Sequence, residues 1–234
     1  MNKKIDFEIV PIFNQHDEIW HDFLYIEMMC DKSMGYNYNS YDKHSVLSNH
    51  EKDWKNNDYN FAFAAYRKTE MIGFAKGFLD VAETTYLDNL YVLPKYQGIG
   101  IGSELLTQVE KTSALISNCL SLMPLNSAVN FYKHNGYGWG DYCGDMGKYL
   151  SCFSDSVVPV FQWKKQKFQV KFSVKVDSRL LKRNNYQPVF AYINESGKVD
   201  GVALRTKDRE NKFWIKSGQE ACQSELLKAL DKAR

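Results

Sequence analysis

The stretch LDNLYVLPKYQGIGIGSELL, residues 87 to 106, decides the fold. It is an apolar strand, a Pro-Lys-Tyr break, glycines at 98, 100 and 102, and then an amphipathic helix that starts at once. A strand feeding a glycine-rich turn that opens a helix aims several backbone N–H groups at one spot, with the positive end of the helix dipole behind them. That is a seat for a pyrophosphate or a similar anion, so the first expectation is a phosphorylated ligand.

The glycine spacing narrows the choice. A dinucleotide-binding turn wants G-x-G-x-x-G, and position 103, where the third glycine would fall, is Ser103. A P-loop wants Gly-Lys-Ser/Thr, and no lysine occurs between positions 96 and 110. What remains resembles the Q/R-x-x-G-x-G/A acyl-CoA loop of the GNAT acetyltransferase superfamily, matched by Gln97, Gly100 and Gly102 after Leu90, Tyr91 and Val92. The segment NFYKHNGY, residues 130 to 137, is similar to the family's later A-x-x-F-Y-x-x-x-G-F/Y segment, with Ala128, Tyr132, Gly136 and Tyr137 in register. The resemblance covers about residues 5 to 155.

The resemblance implies an α/β fold, a mixed twisted sheet flanked by helices, and acetyl-CoA as co-substrate. It places the pantetheine arm and thioester along the backbone of Leu90, Tyr91 and Val92. It places the pyrophosphate on the amides of Gln97, Gly98, Ile99, Gly100, Ile101, Gly102 and Ser103, where a β-carbon would obstruct close approach. Tyr132 matches the usual general acid, and a phenol with a reference pKa near ~10 stays protonated at neutral pH and can donate to a departing thiolate. Many members carry Asn three residues before the alanine matched by Ala128; here that place is Leu125, and Asn126, one position later, is the residue offered to the pantetheine. For the general base, Asp88 lies two residues before Leu90, on the same face by strand alternation, with Glu83 as competitor at the start of the strand.

Composition bounds the rest. The chain has 234 residues with 44% hydrophobic content, enough for a sizeable core. No run approaches 18 apolar residues, and Asp6 and Glu8 stand where a secretory signal needs its apolar stretch, so no membrane span and a cytoplasmic location are expected. Cysteines at 30, 119, 143, 152 and 222 form no C-x-x-C pair, and the five histidines show no H-E-x-x-H spacing, so reduced thiols and no metal are expected. Charge divides the chain: residues 1 to 156 hold 13 Lys and Arg against 20 Asp and Glu, a balance of −7, and residues 157 to 234 hold 17 against 8, a balance of +9.

Along the chain, strands are expected near Lys4 to Ile12, Phe61 to Tyr66, Met71 to Phe78, from Thr85, at Ala114 to Met123, Gly138 to Asp145 and Lys148 to Phe153. Helices are expected at His16 to Met29, Val46 to Trp54, Ser103 to Ser113 and Ser127 to Asn135, the last closed by Gly136. This divides the chain into a catalytic domain, 1–156, and a smaller strand-rich α+β module, 157–234, that matches no family. In the module, Phe168 to Val176 alternates apolar and polar residues as a long strand, and Gln187 to Asn194 with Val199 to Arg205 reads as a hairpin. Lys212 to Lys216 adds a strand. Ser217 and Glu220 read as a capping box for a helix with Ala221, Leu226, Leu227 and Leu230 on its apolar side.

The acceptor is expected to come from the first helices and nearby loops. These carry Trp20, Phe23, Tyr25, Tyr36, Tyr38, Tyr41, Trp54 and Tyr59 with Asp17, Glu18, Glu27, Asp31 and Asp42, a set that suits a small cationic amine. The basic module lacks aromatics interleaved with Arg on a recognisable nucleic-acid fold, so docking on the acidic half, within one chain or across a homodimer, is the simpler expectation. Three functions fit: a small-molecule N-acetyltransferase, a protein or peptide N-acetyltransferase, and a non-catalytic acyl-CoA-binding regulator. An intact Tyr132 favours an enzyme, since a sensor needs no acid at the thioester sulfur.

Overall fold

The computed structural model describes residues 6–13, 17–35, 60–79, 84–115, 117–140, 145–150, 156–160, 188–196, 198–206 and 208–233. Among these the chain runs β1 (Glu8–Pro11), α1 (Asp17–Ser33), β2 (Asn60–Arg67), β3 (Glu70–Leu79), β4 (Thr85–Val92), α2 (Ile101–Ser113), β5 (Cys119–Leu122), α3 (Val129–His134), β6 (Gly138–Trp139) and β7 (Met146–Tyr149). It continues through β8 (Ser156–Pro159), β9 (Val189–Ile193), β10 (Val199–Arg205), β11 (Asn211–Ile215) and α4 (Cys222–Lys232).

Phe61 to Ala65 and Met71 to Ala75 are buried without interruption, so β2 and β3 are covered on both faces and sit centrally. The first sheet has the order β1-β2-β3-β4-β5-β7-β6. Its pairs are antiparallel except β4 with β5, which run parallel and pair only at Thr85 with Leu120 and Tyr86 with Ser121. Beyond Tyr86 the two central strands part. On α1, Phe23, Ile26 and Cys30 recur at helical spacing and are buried, and the Phe23 ring stacks on Phe74 with centroids 4.3 Å apart. Ile101, Leu105, Leu106 and Val109 form the buried stripe of α2.

The second sheet is antiparallel, in the order β11-β10-β9-β8. Phe190, Ala203, Leu226 and Leu230 belong to the same buried cluster as the first sheet's core, and the Phe13 ring meets Phe190 edge-on at 5.5 Å. A second cluster, around Val158, Ala191, Val202 and Leu204, takes in Leu115 from the turn after α2. Apolar contact joins the acidic and basic halves.

Several local expectations change. The strand expected at Ala114 to Met123 is only Cys119–Leu122, because Ala114 donates to Glu110 O at 2.9 Å and prolongs the turn of α2. The last strands of the first sheet are short, and β7 inserts between β5 and β6. The proposed capping box does not form: Glu220 Oε1 accepts from the Gly218 amide at 3.0 Å, and α4 starts at Cys222. Its buried residues are Cys222, Leu226 and Leu230, while Ala221 and Leu227 are exposed. The segments Val46 to Trp54 and Phe168 to Val176, with Glu83, lie outside the described residues.

Leu226 is fully buried between α4 and the second sheet. Leu226→Ala is expected to lower stability by about 2–5 kcal/mol through lost transfer energy plus a cavity. Urea unfolding measures this, and a change below half a kcal/mol would show that α4 is not seated on the shared core.

Candidate active site

Strand β4 builds one wall of the site through an irregularity. Lys76 pairs with Asn89 but Gly77 pairs with Leu87, so Asp88 is an extra residue, a β-bulge. The bulge changes which residues share a face. Asp88 Oδ2 meets Lys76 Nζ at 3.2 Å, whereas Leu90 lies towards α2, with its Cδ2 3.8 Å from where a Cβ at Gly102 would stand. The expectation that Asp88 and Leu90 share a face therefore fails.

Beyond the bulge the alternation is regular. Leu93 donates to Ile72 O at 2.9 Å, and with that register Tyr91 also turns its amide and carbonyl to β3. Leu90 and Val92 point theirs the other way, into the gap that β5 has left. Of the three strand residues expected to serve a ligand through backbone groups, Leu90 and Val92 are placed to do so and Tyr91 is not. The Val92 carbonyl accepts from Gln97 Nε2 at 2.9 Å and from Cys30 Sγ at 3.2 Å.

The turn after β4 is a 3-10 turn, Pro94–Tyr96. The Tyr96 hydroxyl donates to Glu70 Oε2 at 3.0 Å and Lys95 Nζ to Glu70 Oε1 at 2.7 Å, which pins the turn to the β2–β3 hairpin. The Gln97 amide closes this turn on Pro94 O at 3.3 Å, so the loop's outward amides begin after it. Gly98 (φ +77°) and Gly100 (φ +96°) hold left-handed conformations that cost other L-residues roughly 1–2 kcal/mol each. Gly102 serves differently: a Cβ there would stand 3.3 Å from the Phe131 ring. Gly100 caps α2 without a side-chain hydrogen bond, so the first-turn amides meet no side-chain acceptor from the cap and can turn to a ligand.

These parts enclose a cavity of about 650 Å³. Leu90, Tyr91, Val92, Gln97, Gly98, Gly100, Gly102, Ser103 and Tyr132 line it, together with Cys30, Ser33 and Met34 of α1 and its following turn, Tyr96, and Leu125, Ser127, Ala128 and Phe131. Asp88, Ile99 and Asn126 are not in the lining; Asn126 is exposed, and Ile101 is buried in the core. Tyr132 is 7% exposed, and burial pushes its phenol up to about 12. Burial, reinforced by Asp31, likewise pushes the Cys30 thiol up to about 12 despite its bond to Val92 O. Sequence reasoning missed Cys30 and Met34. The 23, 26, 30 spacing on α1 marks Cys30 as inward-facing but not what it faces.

The model of the acetyltransferase (GNAT) family matches residues 20–137. This chain belongs to the GNAT acetyltransferase family. Among solved structures, PH1933 from Pyrococcus horikoshii OT3 superposes with a TM-score of 0.52 at 17% identity, covering 62% of this chain and 99% of its own. An acetyltransferase from Thermus thermophilus gives 0.52 at 14% identity, covering 63% and 99%. A GNAT-family acetyltransferase from Staphylococcus aureus Mu50 gives 0.51 at 18%, covering 62% and 100%. No curated protein matches. These likenesses confirm a GNAT fold with a twisted mixed sheet, to which this chain adds a second, smaller sheet. No described helix is long and apolar enough to cross a membrane, and no cluster of metal-ligating side chains occurs among the described residues.

The two kinds of glycine in this GNAT loop separate by experiment. Gly100→Ala meets open space yet must hold a positive φ, so it is expected to cost about 1–2 kcal/mol by thermal or urea denaturation. Gly102→Ala, free of that strain, is expected to cost less, and the reverse order would contradict the loop conformation.

Proposed function

We propose that this GNAT chain transfers an acetyl group from acetyl-CoA to a primary amine by direct attack on the thioester, with Tyr132 as general acid. One observation carries the reading: the uncapped first turn of α2, the outward backbone of Leu90 and Val92, and the buried phenol of Tyr132 all line one cavity. Acetyl-CoA presents matching groups, a pyrophosphate for the amides, pantetheine amides for the strand edge, and a sulfur that acquires negative charge as the thioester opens.

The chemistry follows the charge. The amine nitrogen attacks the carbonyl carbon, the tetrahedral intermediate collapses, the C–S bond breaks, and the thiolate takes a proton that Tyr132 supplies. A phenol raised by burial holds its proton across the working pH range and donates only as charge develops beside it. Asp88, the carboxylate expected as base, is paired with Lys76 outside the cavity lining, so we assign the amine's proton to solvent water.

A cationic small molecule is the acceptor class we favour. Glu27 and Asp31 of α1 act on the β4 wall: burial chiefly raises the Tyr91 phenol, and the charges of these two carboxylates raise it further. We assign catalysis to residues 1–156 and a non-catalytic role to 157–234, from which none of the described lining residues comes. A homodimer and a cytoplasmic setting remain part of the proposal.

Calorimetric titration with CoA is expected to give binding at the loop, and a folded sample with no heat and no thermal shift at millimolar CoA would end the acyl-CoA reading. Tyr132→Phe is expected to lower turnover about 10²- to 10⁴-fold with acetyl-CoA affinity nearly unchanged. A loss below about threefold would assign the proton to another group. CoA release measured across polyamines, aminoglycosides, amino acids and lysine peptides identifies the acceptor. Reaction only with neutral or anionic amines would overturn the cationic assignment, and CoA binding with no transfer to any amine would favour a regulator.

A further inference from the structure

Behind Tyr132, away from the cavity lining, sits a polar cluster that the proposed mechanism does not use. Glu110 is 6% exposed on α2. Lys148 Nζ on β7 donates to Glu110 Oε1 and Oε2 at 2.9 Å each and to the Asn135 carbonyl at 3.0 Å. Those are all three of its protons. The Tyr137 hydroxyl donates to Glu110 Oε1 at 3.0 Å. The lysine stem runs across Gly136, held at φ +88°, with its Cε 3.6 Å from where a Cβ would stand.

What this cluster holds is the helix that carries Tyr132. α3 is six residues long, far below the length at which a helix is stable alone, so its orientation must be imposed from outside. Lys148 grips it at its C-terminal end, where a cation also complements the helix dipole. Tyr137 completes the grip: its amide donates to Tyr132 O at 3.1 Å, and its ring meets the Tyr132 ring at 5.7 Å and 68°. Glu110 belongs to the helix whose first turn faces the cavity beside the glycine loop. One rigid element thus fixes both the anion seat and the support of Tyr132.

We propose that Glu110, Lys148 and Tyr137 are positioning residues that set the phenol of Tyr132 against the thioester sulfur. This rests on the reading of Tyr132 as general acid. A buried ion pair is weak evidence for stability, since apolar residues of similar volume often do as well. Directional bonds that converge on one short helix are what placement requires. A displacement of about 1 Å at the reacting group can cost up to about a hundredfold in rate, so the clamp's effect belongs in turnover rather than in acetyl-CoA affinity.

The test uses the full chain with two readouts. In the first, the protein carries tyrosine isotopically labelled at Cζ, and the Tyr132 NMR signal is assigned by its loss in Tyr132→Phe. It is expected to shift and broaden in Lys148→Met and Tyr137→Phe and to return in Lys148→Arg. In the second, CoA release from acetyl-CoA is followed with spermidine present. Lys148→Met is expected to slow it roughly ten- to a hundredfold in the native background, and less than about twofold once Tyr132→Phe is present, because the clamp then has no acid to place. Equal losses in both backgrounds would overturn the positioning role and leave the acid reading standing. A Tyr132→Phe enzyme that keeps its rate would overturn both. If Lys148→Met fails to fold because Glu110 is left as an uncompensated buried charge, Tyr137→Phe supplies the same comparison with the ion pair intact.

Discussion

The structure depends on the parting of β4 and β5. Two parallel residue pairs join the strands at their start, and beyond Tyr86 the ladder stops. A central strand with an unpaired edge is costly, because buried amides and carbonyls need partners. Here that edge instead faces a cavity, and the rest of the first sheet maintains the opening. The bulge at Asp88 re-aims the strand, the 3-10 turn ends it, and the glycine loop leads on into α2. Gly102 lets α2 approach α3 closely enough for Phe131 to form the opposite wall.

Polar order supports this opening as much as apolar burial does. The Glu70, Tyr96 and Lys95 contacts fix one end of the glycine loop. Glu110, Lys148 and Tyr137 fix the far end of the helix that follows it. Between these anchors the buried stripe Ile101, Leu105, Leu106 and Val109 holds α2 on the sheet, so the loop has little freedom to drift.

Most of the architecture was legible in the sequence where local signals were strong. Glycine spacing located the loop, the Phe61 to Ala65 and Met71 to Ala75 runs located the central strands, and the hairpin at 189 to 205 was read correctly. Long-range effects were not legible. The bulge at Asp88 depends on how β3 and β4 register, and nothing in the order Leu87-Asp88-Asn89 announces an extra residue. Cys30 enters the site because α1 crosses the end of β4, a tertiary fact. Nothing in the helix Ser103 to Ser113 singles out Glu110, since its partner Lys148 lies 38 positions away. At Ser217 and Glu220 the right residue types for a cap stood together, but the carboxylate closed the preceding turn instead.

The double occupancy of the Val92 carbonyl has a consequence for how the slot fills. A carbonyl oxygen has two lone pairs, and here the Gln97 amide and the Cys30 thiol take both. An incoming donor finds no free acceptor at Val92 and must evict one of them, the weaker thiol first. Leu90, the preceding residue on the same edge, also presents its carbonyl toward the gap. The edge is therefore uneven along its length, self-satisfied at Val92 and turned to the gap at Leu90. A donor placed at Val92 competes with the protein's own side chains, whereas one placed at Leu90 does not meet that competition.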